Sequence, residues 1–125
     1  MSEVLTIATA EQEIDMSLWK ELTSRAAYLQ GFALEWPQDD GWKPYIIGSR
    51  EIYAPLEYDG QSFRLANQLI MRIEHGKNHK HVYNRVTVSV QGRCHVGAEI
   101  TYKSDRNEAM RRAIVLTAYE LYRDG

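Results

Sequence analysis

The densest set of metal-ligand side chains is His75, His79 and His81 in one short run, followed by Cys94 and His95. Zinc sites take imidazole and thiolate ligands in close-spaced pairs from two segments. His79 and His81 are two apart, so on a strand they share a face, with Cys94-His95 expected on a neighbouring strand. Against a metal, the run also carries Lys77, Asn78 and Lys80, and the chain has no second cysteine. The expectation is a solvated polar loop without metal or cofactor. Cys94 as a nucleophile needs a base and an orienting group. His95 follows it directly, and adjacent residues on a strand point to opposite faces. The paired carboxylates Asp39-Asp40 sit in a turn that explains them, and there is no Gly-x-Ser-x-Gly, Gly-rich phosphate loop or His-Glu-x-x-His. The chain reads as non-enzymatic, with a metal-dependent enzyme only the third reading.

Charge gives a second kind of candidate. The net charge of −2 is segregated, with eleven acids and four bases in residues 1–60 but six bases and one acid in 61–98. Either these segments mix on the surface, or they form a contact face that steers a partner. The binding candidates are therefore Arg72, Lys77, His79, Lys80, His81 and Arg85. Trp36 and Trp42 join them as an aromatic pair across a turn, a structural clasp or a stacking platform. As a nucleic-acid module, residues 60–123 have the helix–meander–helix order of the double-stranded RNA-binding fold. That fold needs a Lys-rich start to its last helix. Here the start is Asp105-Arg106-Asn107-Glu108, and the sequence pI is near 6.1.

The elements that must position these groups are legible in order. Residues 1–10 are apolar and Thr-rich, a loose tail or an edge strand. A helix over about 15–30 carries Leu18, Leu22, Arg25, Ala26 and Leu29 on one face, with Trp19, Ala27 and Tyr28 beside it. Trp19 is read as core, with a solvent-facing binding role as the alternative. Gly31 is suited to the position after the helix. Phe32–Trp36 and Trp42–Ile47 flank Asp39-Asp40-Gly41 as a hairpin, and Pro44 makes its second strand an edge. Pro55 ends the extended run Glu51-Ile52-Tyr53.

Asp59 is the expected cap of a central helix whose apolar stripe is Phe63, Ala66, Leu69, Ile70 and Ile73, stopped by Gly76. A meander follows. Its first strand runs from Leu69 to Glu74, its second carries Val86, Val88 and Val90 at period two, and its third spans Cys94–Tyr102. Asp105 with Glu108 fits a capping box for a last helix to about Arg123. Its inner face is Met110, Ala113, Ile114, Thr117 and Leu121, flanked by Val115, Tyr119 and Tyr122. Both stripes are expected on the same face of the meander. The fold class is α+β: helix, β-hairpin, helix, three-stranded antiparallel meander and C-terminal helix, with the helices packed on the sheet, in one domain over residues 1–125.

Two motifs in this frame carry a resemblance. Tyr53-x-Pro-Leu-x-x-Asp-Gly-x-x-x-Arg-Leu-Ala-x-x-Leu69 and Asp105-x-x-x-Ala-Met-Arg-Arg-Ala-Ile-Val115 resemble a family of small uncharacterised tailed-phage and prophage proteins. The similarity covers roughly residues 15–123. The chain departs from it at Gln61-Ser62-Phe63, where the family has Asp-Ala-Leu, and in its His-rich loop. The resemblance implies phage origin and an α+β sandwich, and supplies no catalytic residue.

Composition sets the remaining bounds. Hydrophobic residues make up 44% and charged residues 26%, ordinary for a globular domain. No apolar run approaches the ~20 residues of a membrane span, and the N-terminus lacks the basic start of a signal peptide. One cysteine allows no intrachain disulfide, which fits a reducing host cytoplasm. The expected role is that of a small phage accessory protein that binds a host or phage protein or a second copy of itself. An inhibitor of a host defence system, such as an anti-CRISPR, is one version. A nucleic-acid-binding module using residues 64–93 is the alternative.

Overall fold

A computed structural model describes residues 7–38 and 43–124, apart from the side chain of Cys94. Asp39, Asp40, Gly41 and Trp42 lie outside the described residues, as do residues 1–6 of the expected tail. Among the described residues, three helices and five strands follow in the expected order: α1 (Met16–Gln30), β1 (Leu34–Glu35), β2 (Tyr45–Ile46), α2 (Asp59–Gln68), β3 (Met71–Lys77), β4 (Tyr83–Val90), β5 (Arg93–Thr101) and α3 (Arg106–Asp124). β1 and β2 form a two-stranded sheet, and β3-β4-β5 an antiparallel meander. Among the described residues, no helix is long and apolar enough to cross a membrane.

α1 begins where its sequence says it should. Asp15 caps it by accepting from the Leu18 N–H at 2.8 Å. Gly31, at φ 80°, closes it in a left-handed turn that only glycine enters freely. Leu22 and Ala26 are fully buried, and Trp19 is a core residue.

α2 departs from expectation. Tyr58, not Asp59, is the capping residue and makes no side-chain cap bond. Asp59 is the first helical residue, and its carboxylate binds Arg111 of α3 at 2.6 Å. The buried face is Gln61, Ser62, Leu65 and Ala66, while Phe63 and Ile70 stand 46% and 61% exposed. The reason is that two polar residues are satisfied inside. Gln61 accepts from the Ala54 N–H at 2.6 Å and donates to the Ile52 carbonyl at 2.5 Å. The Ser62 hydroxyl donates to the Asp59 carbonyl at 2.9 Å. Burying a polar group costs little once it is bonded, so the helix rotates away from its apparent apolar stripe. It also ends before Ile73, which belongs to β3; the three-and-four spacing ran on across the junction by coincidence.

In the meander, Met71 opposes Val90, Ile73 opposes Val88, and Val88 opposes Ala98. Opposed residues point to the same side. Val86, Val88 and Ile100 are fully buried on this inner face. Gly76 does not stop an element. It lies inside β3, where the Arg85 side chain crosses it so closely that an added Cβ would sit 2.5 Å from Nε. Beyond β5, Ala10 donates to the Thr101 carbonyl at 2.8 Å and Thr101 to the Ala8 carbonyl at 2.9 Å. The described end of the N-terminal segment is thus an edge strand, bridged in parallel at Thr9–Thr101.

α3 is the structural centre. Asp105 accepts from the Glu108 N–H at 3.0 Å, as a cap should. Glu108 does not return the bond, because its carboxylate holds Arg111 at 2.6 Å and Arg112 at 2.7 Å. Residues 112–118 are buried without a break. One side of the helix packs on β4 and β5, and the other on α1 and α2. α3 is therefore the helix that covers the sheet, while α2 meets the sheet chiefly at its β3 margin and packs more extensively on α3.

Candidate functional site

The basic candidates collect at one end of the meander. Asn78 builds the β3–β4 turn: its Oδ1 accepts from the N–H groups of Lys80 at 2.8 Å and Val82 at 3.1 Å. The backbone closes the turn with Asn78 donating to the Val82 carbonyl at 2.9 Å. Such side-chain mimicry of a turn is what Asn does well. The turn holds His79, Lys80 and His81 exposed, with His81 at φ 65°. Lys77 Nζ lies 4.8 Å over the Tyr83 ring, and Arg85 donates to the Lys77 carbonyl at 3.1 Å.

The other candidates do not join this group. Arg72 is at the start of β3, ion-paired with Glu74 at 2.9 Å. Trp36 packs edge-on against Trp19 at 6.3 Å, with Lys20 Nζ 5.5 Å over its ring. Its expected partner Trp42 lies outside the described residues. Much of the positive charge of residues 61–98 is also answered locally: Arg64 pairs with Glu51 at 3.1 Å, and Arg93 with Asp124.

The two halves of the histidine–cysteine set face apart. His79 and His81 occupy the β3–β4 turn, whereas Cys94 and His95 follow the β4–β5 turn at the opposite end of the sheet. His95 Nε2 is 3.0 Å from Asp124 Oδ1, and that hydrogen bond, with Arg93 alongside, holds the Asp124 carboxyl below its usual range. Among the described residues, no group of three or more His, Cys, Asp and Glu could hold a metal ion.

A different surface has the composition of a contact site. The row Glu35–Tyr45–Ile52 runs across β1, β2 and the following segment, set by the pairs Glu35–Tyr45 and Tyr45–Ile52. A tight turn joins the last two, with Arg50 donating to the Ile46 carbonyl at 2.9 Å and Ile46 to the Glu51 carbonyl at 2.8 Å. Gly48 at φ 106° and Arg50 at φ 64° make that turn. Tyr45, Ile47, Ile52 and Tyr58 are 45%, 59%, 39% and 40% exposed. Two hollows of about 430 and 540 Å³ lie along this surface, and Arg50 lines both.

The surface is held from beneath. Tyr53 is buried, and its hydroxyl donates to Gln30 Oε1 at 2.6 Å; burial pushes its phenol pKa up. Gln61 fixes residues 52 and 54 through the bonds already described. At the margin Lys43 pairs with Glu57 at 2.7 Å, which raises its pKa, and lies 5.4 Å over the Tyr58 ring. Arg50 has no carboxylate partner among the described residues.

Sequence reasoning passed over this surface, although its signal was present. Tyr45 and Ile47 alternate with Ile46, so one set had to face outward once Ile46 took the core side. Compared with known protein families, curated proteins and solved structures, the chain matches none.

Proposed function

We propose that this protein is a small non-enzymatic accessory protein that binds a protein partner through the surface formed by Tyr45, Ile47, Arg50, Ile52 and Tyr58. The observation that carries the reading is an exposed aromatic and aliphatic set around Arg50, which has no carboxylate partner among the described residues, on a turn fixed from below. Tyr and Arg are the residue types that dominate binding hot spots, and a rigid scaffold spares the entropy of ordering them. The matching partner offers an apolar side chain to one hollow and a carboxylate to Arg50. The phage assignment rests on the motifs at Tyr53–Leu69 and Asp105–Val115; with it, a host cytoplasmic target and inhibition of a host defence system are part of the proposal.

The second reading, nucleic-acid binding, has its own observation: Lys77, His79, Lys80, His81 and Arg85 lie at one sheet end, with Lys77 over the Tyr83 ring. The experiment is affinity capture from bacterial lysate with wild type and with Tyr45→Ala/Arg50→Glu, each with and without nuclease. One protein retained by wild type in nuclease, and released by the double variant, is the expected result. Nuclease-sensitive capture that the double variant keeps would transfer the function to the basic loop.

A further inference from the structure

β3 is the open margin of the meander. On one side it pairs with β4, and among the described residues no backbone hydrogen bond reaches its other side. The opposite margin of the sheet is closed at Ala8–Ala10. An open edge is a template for another strand, and natural edges are blunted by charge, bulges or cover. β3 has a bulge only at its end, between Gly76 and Lys77. Before the bulge its charges are Arg72 and Glu74, both on the outer face, with side chains 74% and 56% exposed, and Lys77 lies beyond it at the strand's end.

Those charges decide what can pair with the edge. Consider β3 against β3 of a second copy, antiparallel about a two-fold axis at Ile73. Arg72 then opposes the partner's Glu74, and Glu74 the partner's Arg72. Ile73 opposes the partner's Ile73 and Met71 the partner's His75, all on the inner face. Shifting the register by one residue would put the core face of one copy beside the polar face of the other. Shifting it by two in either direction would set Arg72 against Arg72 or Glu74 against Glu74, which is destabilising. One register alone keeps both the faces and the charges matched. The strand is self-complementary in the sense that a two-fold interface requires. Ile70, at φ 56° and 61% exposed, stands at the start of this edge and adds apolar surface for the partner to cover.

We infer that the chain forms a two-fold dimer through β3, extending its meander into a continuous six-stranded sheet with Arg72 and Glu74 exchanged between the copies. This surface is separate from the Tyr45–Tyr58 surface, so either assignment can fail without the other.

The test is the molar mass of the full chain by sedimentation equilibrium across the micromolar range. Wild type is expected to approach dimer mass. Arg72→Glu and Glu74→Arg each place like charges opposite one another and are expected to be monomers. The double swap Arg72→Glu/Glu74→Arg restores opposite charges and is expected to restore the dimer. A monomeric wild type, single variants that remain dimeric, or a double swap that stays monomeric would each overturn the assignment. Circular dichroism confirms that each variant is folded. Should a single variant unfold, Ile73→Cys in a Cys94→Ser background decides instead, because residues opposed at a two-fold axis are within disulfide reach. Near-complete oxidation to a covalent dimer supports the register, and failure to cross-link refutes it.

Discussion

Arg112 is a buried cation on α3, 8% exposed, and it ties the N-terminal segment to the body of the protein. Its Nε donates to Glu108 at 2.7 Å, and its Nη1 donates to the carbonyls of Thr9 at 2.8 Å and Gln12 at 2.5 Å. Replacing it with Met keeps much of the volume and removes every donor. Glu108 retains Arg111, so its charge is not stranded, and the loss falls on the two carbonyls. A buried acceptor left without its donor costs about 1–3 kcal/mol. Both bonds are part-buried, so the two acceptors with the weakened ion pair give about 2–3 kcal/mol for Arg112→Met. Arg112→Lys keeps the charge but not the fork that serves three acceptors, and should lose about half as much. Urea denaturation measures both, with the midpoint falling at unchanged slope. Hydrogen exchange should locate the damage, with the Ala10 and Thr101 amides losing protection before those of β4. A loss below about 1 kcal/mol for Arg112→Met would refute this account, since the cost of leaving these part-buried acceptors unpaired would then be absent.

Leu65→Ala should cost ~2–5 kcal/mol, as deletions at fully buried leucines do, whereas Phe63→Ala on the exposed flank of α2 should stay within about 0.5 kcal/mol. Equal losses would mean that the helix faces the core as its apolar stripe suggested. Gly97→Ala drives a Cβ to 2.5 Å from the Val88 carbonyl and should cost about 1–3 kcal/mol, while at Gly76 only the movable Arg85 side chain stands in the way, so Gly76→Ala should cost less. Asp124 has a folded-state pKa below its ordinary 3.8, held there by His95 and then Arg93. Its stabilising effect is therefore complete above the ordinary value and lost as the pH falls through the lowered one. Protection of the amides in the last turn of α3, relative to their intrinsic exchange rate at each pH, should fall over that acidic range in wild type and hold steady in Asp124→Asn.

What was legible in the sequence follows physical lines. The bounds of α1 were readable from its apolar spacing and from Gly31, a local signal that no distant contact overrides, whereas the Asp15 cap was passed over. β4 was readable because Val86, Val88 and Val90 alternate against a polar outer face. α2 misled because Gln61 and Ser62 are buried through bonds to Ile52, Ala54 and Asp59 that no periodicity records. α3 has no polar face over residues 112–118, since it is covered by the sheet on one side and by helices on the other; a one-faced helix was the wrong expectation for a central one.

The site was harder still. Lys77, His79, Lys80, His81 and Arg85 lie at the β3–β4 end of the sheet, as nearness in sequence requires, while Arg72 stands at the other end of β3. The metal-ligand pairs instead separate to opposite ends of the sheet, because strand direction, not sequence distance, sets where a hairpin's residues fall. The Tyr45–Tyr58 surface joins residues from β2, a turn and the start of α2, and its exposure depends on Ile46 turning inward.

The central claim is that Tyr45 and Arg50, not the basic turn, touch a protein partner. The direct measurement places a photo-crosslinking amino acid at Tyr45 in one protein and at Tyr83 in another, irradiates each in bacterial lysate, and identifies the adducts by mass spectrometry. The account predicts one protein adduct from the Tyr45 position that resists nuclease, is competed by unlabelled wild type, and is lost when Arg50→Glu is added. A nucleic-acid adduct from the Tyr83 position, with no discrete protein adduct from Tyr45, would contradict it.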